Sequence, residues 1–203
     1  MLLACGAAGL LVITGCSAGG SPSSAGTSGA SATASAPAAV TPSSTTPSST
    51  ALSWAAALGP AVTVLPPGAA APGHGSPGAV LAGLFQAVKD KNAAEYCGYA
   101  EPAAQAQCTS QAAQLPASQF PSAKNGMPGY AVTDGGRAVA GFTGTLCATG
   151  QTSCVSNSDP AAVFTALHTF SALWKNAMIQ SDTTYSLTPL TKVNGNWYIA
   201  ASS

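Results

Sequence analysis

The 203-residue chain carries six Lys or Arg and six Asp or Glu residues, so its formal net charge at pH 7 is zero. Clusters of Lys and Arg drive binding to nucleic acids and to acidic membrane surfaces, and the chain has no such cluster, which argues against both partners. All charged residues lie between Lys89 and Lys192, and every aromatic residue except Trp54 lies at or beyond Phe85. Because a core requires large side chains, these distributions predict one domain over residues 77–203.

Residues 2–15 are almost all apolar or small, a run too short for a membrane-spanning helix, which needs about 20 residues. The length fits a signal peptide over residues 1–15, with Cys5 inside it. The "ITGC" that ends the run resembles the bacterial lipobox, which implies that Cys16 becomes the lipid-carrying first residue of the mature protein. A plain secretory signal is the alternative. Signal peptides begin with basic residues, so we also expect the natural start to lie upstream.

Residues 16–76 are predicted to form a lipidated, disordered linker, because Ser, Thr, Ala, Gly and Pro provide too little apolar bulk to offset the entropy of ordering. The Ser/Thr/Pro runs are compatible with O-glycosylation or with an unmodified linker. We expect His74, in a Gly/Pro-rich stretch, to be solvated. The stretch "LSWAAALGPAVTVLPP" leaves two alternatives open: a first extended piece packed on the domain, or a more apolar part of the linker.

The domain itself is predicted to be α+β. Apolar residues recur at helical spacing over residues 77–94, and a second helix is expected from residue 101 to 114. After the turn-rich residues 121–129, strands are predicted at 130–133 and 137–147, then at 183–191 and 196–200, each pair joined by a Gly-containing hairpin turn. Residues 158–178 fit a helix, which we favour, or a strand. The helices are expected on one side of a mainly antiparallel sheet.

The stretches "LAGLFQAVKDKNAAEYC" and "YSLTPLTKVNGNWYIA" resemble the cystatin-like cone of the nuclear transport factor 2-like superfamily, and in particular small secreted lipoproteins of GC-rich Gram-positive bacteria. The match in the last strand covers residues 193–199. The resemblance implies helices packed on a curved sheet. The superfamily contains polyketide-cyclase-like and isomerase-like enzymes and also non-catalytic binding modules, so the fold alone does not fix the function.

Four cysteines lie in the predicted domain, and an exported protein meets oxidising conditions, so we expect disulfides among Cys97, Cys108, Cys147 and Cys154. Four cysteines allow three pairings, of which we favour the two local ones. The pairing of the first two requires a helix break, since 11 residues of continuous helix separate Cα atoms by about 16 Å. A zinc site is the alternative, but the Cys-x2-Cys spacing and a nearby His are missing, so no metal is expected.

Candidate catalytic residues are few. His168 lies in an apolar segment, where a packed histidine and a cavity-lining acid/base are both conceivable, and Asp182 is the second candidate. No nucleotide-binding or hydrolase motif appears, so no cofactor is expected. The sequence therefore predicts a non-catalytic lipoprotein on the extracellular side of the cell membrane, binding a small apolar ligand or a protein partner. A cofactor-free isomerase, cyclase or hydrolase using His168 or Asp182 is the alternative.

Overall fold

A computed structural model describes residues 54–147, 154–161, 164, 167–178 and 187–201. Cys16, the predicted signal peptide, most of the predicted linker and Asp182 lie outside these residues. The fold is α+β, as predicted, and its strands pair into one antiparallel sheet. The helices of the described part are α1 (Pro77–Lys89), α2 (Ala93–Gly98), α3 (Pro102–Ala112) and α4 (Phe170–Met178), with a short 3-10 helix at Ala55–Leu58. The strands are β1 (Thr63–Leu65), β2 (Ser122–Thr133), β3 (Arg137–Cys147), β4 (Cys154–Asn157), β5 (Leu187–Val193) and β6 (Asn196–Ile199).

The strand order across the sheet is β1-β2-β3-β5-β6, and β4 pairs with the last residues of β3. Two predicted hairpins are confirmed. Gly135, with φ of +94°, turns the chain between β2 and β3, while Asn194 and Gly195, with φ of 51° and 86°, join β5 to β6. Two consecutive positive φ values are what a two-residue hairpin turn with the correct twist requires.

Strand β3 lies at the centre of the sheet, and its side chains alternate between two covered faces. Ala138, Ala140 and Phe142 join the core on one face, and Val139 joins the core on the other. Gly141 also belongs to the second face, where an added Cβ would lie 3.4 Å from the Phe164 ring. This double burial explains the nearly continuous run of apolar and small residues in β3.

Helices α1, α2 and α3 cover the first face. Ser76 begins α1 by accepting a hydrogen bond from the amide of Ala79 (3.1 Å), and the helix buries its apolar stripe against β2 and β3. The prediction of one helix over residues 77–94 is wrong at its end. Lys91 takes a left-handed φ of 53°, and the Asn92 side chain caps a separate helix, α2.

The second face is covered by two distant pieces of chain, so the expected one-sided placement of helices is wrong. Trp54 stacks on Phe164 with ring centroids 4.9 Å apart and meets Tyr130 edge-on at 5.5 Å. Phe170 and Leu173 of α4 complete the cover. Of the described residues in this part of the chain, Phe164 and α4 are helical, whereas residues 158–161 and 167–169 are not, so the helix favoured over residues 158–178 is confirmed only in part. Thr169 precedes α4, and its side-chain oxygen accepts from the amide of Ala172.

The predicted domain boundary at residue 77 lies inside the folded unit. Trp54 is only 8% exposed, and β1 pairs with β2 through Thr63, Val64 and Leu65. Of the two alternatives for this stretch, packing on the domain is therefore correct for the described residues from 54 onward. The boundary was predicted from composition, and the residues around Trp54 are small and uncharged. The contacts of Trp54 with Tyr130 and Phe164 exist only in the tertiary structure, so composition could not indicate them.

The turn-rich residues 121–129 form most of β2 rather than a loop. Two register shifts, between Lys124 and Met127 and between Pro128 and Ala131, allow Gly and Pro to occur in this strand. Asn125 takes a φ of 53° at the first of them.

Both favoured disulfides are present in the structure. Cys97 in α2 and Cys108 in α3 are joined with Cα atoms 5.5 Å apart, which the break between the two helices makes possible. Cys147 and Cys154 are directly opposite each other on β3 and β4 and form the second bridge.

Candidate interaction site

His168, the first predicted catalytic candidate, is exposed in the connection that precedes α4. An acid/base residue was expected to line an enclosed pocket, and this side chain lies at the surface instead. Asp182, the second candidate, is outside the described residues. The core beneath α4, where an apolar ligand could have been expected, is occupied by the protein's own rings, those of Trp54, Tyr130 and Phe164.

A different set of residues meets at the surface beside α4. Arg137 begins β3, and its guanidinium carbon lies 5.4 Å from the ring centroids of both Phe170 and Trp174. The two aromatic residues are four positions apart and therefore project from one side of the helix. A guanidinium over an aromatic face is attracted by the ring quadrupole, so Arg137 links the sheet to α4. We call Arg137, Asp134, Phe170 and Trp174 the arginine site.

The β2–β3 hairpin holds Arg137 in place. One oxygen of the Asp134 carboxylate accepts from the guanidinium at 2.6 Å, and the other accepts from the Arg137 backbone amide at 3.1 Å. The Asp134 amide donates to the Arg137 carbonyl, and the Lys192 amide donates to Gly136 at the tip of the hairpin. Arg137 is thus held by its backbone hydrogen bonds, by its ion pair with Asp134 and by the contact of its guanidinium with two aromatic rings.

The guanidinium remains open to solvent despite these contacts. The Arg137 side chain is 46% exposed and that of Asp134 19% exposed. A guanidinium has five N–H donors, and within the described part of the chain its only hydrogen-bond acceptor is the Asp134 carboxylate. Within the same residues, the remaining donors of the guanidinium have no acceptor.

Sequence reasoning missed the arginine site. The hairpin turn predicted between residues 133 and 137 accounts for only one of the two Asp134 oxygens, the one that accepts from the Arg137 amide. The spacing Asp-Gly-Gly-Arg and the i, i+4 pair of Phe170 and Trp174 were the available signals. They lie more than 30 residues apart, and only the packing of α4 on the second face brings them together.

His74, predicted to be solvated, is instead bound to the free edge of β6. Its Nδ1 lies 2.9 Å from the Trp197 carbonyl, and its own carbonyl accepts from the Trp197 amide at 2.9 Å. Since a carbonyl only accepts, Nδ1 carries the proton in this contact. The imidazole also packs between Tyr99 and Tyr198, with centroids 5.1 and 4.6 Å away.

The same edge of β6 is closed further along by residues 99–101. Ile199 donates its amide to the Tyr99 carbonyl and accepts from the amide of Glu101. The outward backbone groups of β6 are therefore satisfied within the chain. Covering an edge in this way prevents pairing with a strand of another molecule, so His74 has a structural role.

Two tyrosines near this edge have altered acidity. Burial raises the pKa of Tyr96 to about 12. Burial and the negative charge of Glu95 both raise the pKa of Tyr99. Both hydroxyls are therefore weaker acids than an ordinary tyrosine.

Within the described residues, no group of three or more His, Cys, Asp or Glu side chains is arranged to hold a metal ion. Over the same residues, no helix has the length and apolarity needed to cross a membrane. No protein-family model, curated protein or solved structure matches the chain. The resemblance to the nuclear transport factor 2-like superfamily therefore stays a prediction, as does the cone-like shape it implies.

Proposed function

We propose that this chain is a cell-envelope lipoprotein whose domain is a non-catalytic binding module, and that a protein partner docks at the arginine site. The observation that supports this most directly is the half-exposed Arg137 held against Phe170 and Trp174. Arg and Trp are the residue types most enriched among the residues that dominate binding energy at protein interfaces. A rigid side chain also loses little freedom on binding, which favours affinity.

The proposed location is supported by the two disulfides, because such bonds persist outside the reducing cytoplasm. The lipobox-like sequence at Cys16 would provide the anchor. Two acyl chains on that cysteine would hold the protein stably, since one chain alone binds membranes only marginally. The Ser/Thr/Pro-rich segment before Trp54 would then separate the domain from the bilayer.

A protein partner is favoured over a small apolar ligand because Trp54, Tyr130 and Phe164 occupy the core beneath α4. The enzyme alternative has less support than the binding module. His168 is exposed, while His74 has its Nδ1 engaged by a backbone carbonyl. Neither histidine is hydrogen-bonded to a carboxylate among the described residues, a pairing that acid/base catalysis commonly uses.

The tether is tested by labelling cells with radioactive palmitate. Label is expected on the full chain and on the Cys5→Ser variant, and it should be lost from Cys16→Ser. Cys5→Ser is the matched control because it removes another cysteine from the same apolar run. A chain found in the cytoplasm with reduced thiols at Cys97 and Cys108 would contradict the proposed location.

The docking surface is tested by placing a photo-crosslinking amino acid at Ser171, exposed on α4, or at Gln111, exposed on α3. We expect a discrete adduct with one partner protein from position 171 in cells, and none from position 111. The adduct should weaken when Arg137→Met is added. Equal adducts from both positions, or none from position 171, would contradict docking at the arginine site.

A further inference from the structure

We infer that Arg137 is the anchor for a carboxylate, carried by an Asp or Glu side chain of the partner protein. The inference rests on the proposed binding function and adds the chemistry of the group that is recognised. A guanidinium presents its N–H donors in a planar fork that matches the two oxygens of a carboxylate.

The direction from which the partner would approach follows from the contacts already made. The Asp134 carboxylate occupies one guanidinium nitrogen, Nη2, and the rings of Phe170 and Trp174 lie against the guanidinium. The other nitrogens carry donors with no acceptor within the described residues, and the side chain is 46% exposed. A second carboxylate can therefore bind at the free edge without displacing Asp134.

The charge of the site sets how tightly a carboxylate would bind. Asp134 already offsets the positive charge of Arg137, and the two form the ion pair of this hairpin. A second carboxylate is attracted by the guanidinium and repelled by Asp134, which limits its affinity. Removing the Asp134 charge should therefore strengthen binding, although it removes a contact that orders the hairpin.

The chain offers a matched control on the other face of the sheet. The Lys192 ammonium lies 5.6 Å from the Trp197 ring centroid, which is also a cation over an aromatic residue. Lysine provides a point charge rather than a planar fork. If positive charge near an aromatic ring were enough to bind carboxylates, Lys192 would contribute as much as Arg137.

The test is an NMR titration of the full chain in detergent, with the blocked amino acid N-acetyl-glutamate amide as probe. N-acetyl-glutamine amide is its uncharged isostere. We expect the Arg137 Nε–H and Trp174 indole signals to shift with the glutamate probe and to saturate at roughly millimolar concentration, since one exposed charge pair is weak. The glutamine probe should leave both signals unchanged.

The variants give the direction of each effect. Arg137→Met should abolish the saturable shift, Arg137→Lys should weaken binding about threefold or more, and Lys192→Met should leave it unchanged. Asp134→Asn should strengthen binding by about threefold. Retention of both disulfides and of the circular dichroism spectrum checks that each variant is folded.

Several outcomes would overturn the inference. Equal shifts with both probes would remove the role of charge, and equal losses in Arg137→Met and Lys192→Met would indicate non-specific attraction. Weaker binding in Asp134→Asn, with saturation by methyl mannoside, would indicate a neutral saccharide that needs the Asp134 acceptor. If position 171 still crosslinks to a partner while carboxylates have no effect, the carboxylate inference fails and the binding module stands.

Discussion

The two faces of the sheet are covered in different ways. The first face is covered by one continuous stretch, residues 77–112, which forms α1, α2 and α3. The second is covered by Trp54 and Leu58, which precede α1, together with Phe164 and α4, which follow β4. The first cover is continuous in sequence, whereas the second combines single large side chains near Trp54 with the buried face of α4, and these parts meet only after folding.

This difference affects where a partner can bind. Among the described residues of the first face, the one exposed cation held over an aromatic ring is Lys192, which lies over Trp197 at the border of that face. The second face carries the arginine site where the edge of α4 meets the β2–β3 hairpin. That cover is assembled from separate pieces of chain. Side chains that lie where the pieces meet, such as Arg137, therefore remain partly exposed.

The most destabilising change should be removal of the ring that joins the second cover to the sheet. Trp54→Ala should lower the free energy of unfolding by about 3–5 kcal/mol, because it deletes the contacts with Phe164 and Tyr130 and leaves a cavity. Leu84→Ala on the first face should cost about 2–5 kcal/mol. Urea denaturation of the full chain measures both.

Ala56→Ser, an exposed change two residues away, is the control and should stay within about 0.5 kcal/mol of the parent. If Trp54→Ala behaved like that control, the second face would not depend on the segment before residue 77, and the sequence-based domain boundary would regain its support.

A smaller effect is expected where the first cover is tightest. An added Cβ on Gly83 of α1 would lie 1.9 Å from the Tyr99 hydroxyl oxygen, so Gly83→Ala must displace that ring. We expect destabilisation of about 1–3 kcal/mol, although Ala in a helix is intrinsically about 1 kcal/mol better than Gly. Thermal unfolding measures this loss of stability.

Gly98→Ala is the control. Gly98 has no atom within 4 Å of its added Cβ, so only the gain in helix propensity should be seen there. Stabilisation of both variants would contradict the packing of Tyr99 on α1.

The two histidines are expected to contribute differently to stability. His74→Ala removes the hydrogen bond to the Trp197 carbonyl and the contacts with Tyr99 and Tyr198, so a loss of about 1 kcal/mol is expected. His168→Ala, at an exposed position, should change stability by less than about 0.5 kcal/mol. Chemical denaturation at pH 8 measures both; the reverse order of effects would restore the sequence-based assignment of the two residues.

The contribution of Tyr96 to the pH dependence of stability is confined to alkaline pH. Tyr96 keeps its proton in the folded protein up to about pH 12, whereas an unfolded tyrosine releases it near pH 10. Between these values the folded state binds more protons, so the free energy of unfolding falls as the pH rises from about 10 to 12. Tyr96→Phe should flatten this decline. Chemical denaturation at several pH values measures the change. An unchanged slope in Tyr96→Phe would contradict the burial of the Tyr96 hydroxyl.

The arginine site shows why a site can escape prediction even when its elements are predicted. The hairpin at Gly135 and the helix around Trp174 were both predicted correctly. Their contact was not, because the side of the sheet on which a helix packs depends on which face remains uncovered by the rest of the chain. The same limit applied to His74, whose hydrogen-bond partner Trp197 lies in β6, more than 100 residues away.

Local sequence patterns were enough to predict the α+β composition, the two hairpin turns at Gly135 and Gly195 and the start of α1 at Pro77, and they favoured the two local disulfide pairings. Each depends on residues close together in the chain, where backbone preference and short loops decide the outcome. Only the tertiary structure decided that Trp54 belongs to the core, that both faces of the sheet are covered and that Arg137 meets Phe170 and Trp174. These contacts join distant segments, and their free energy comes from burial and charge that no local pattern records.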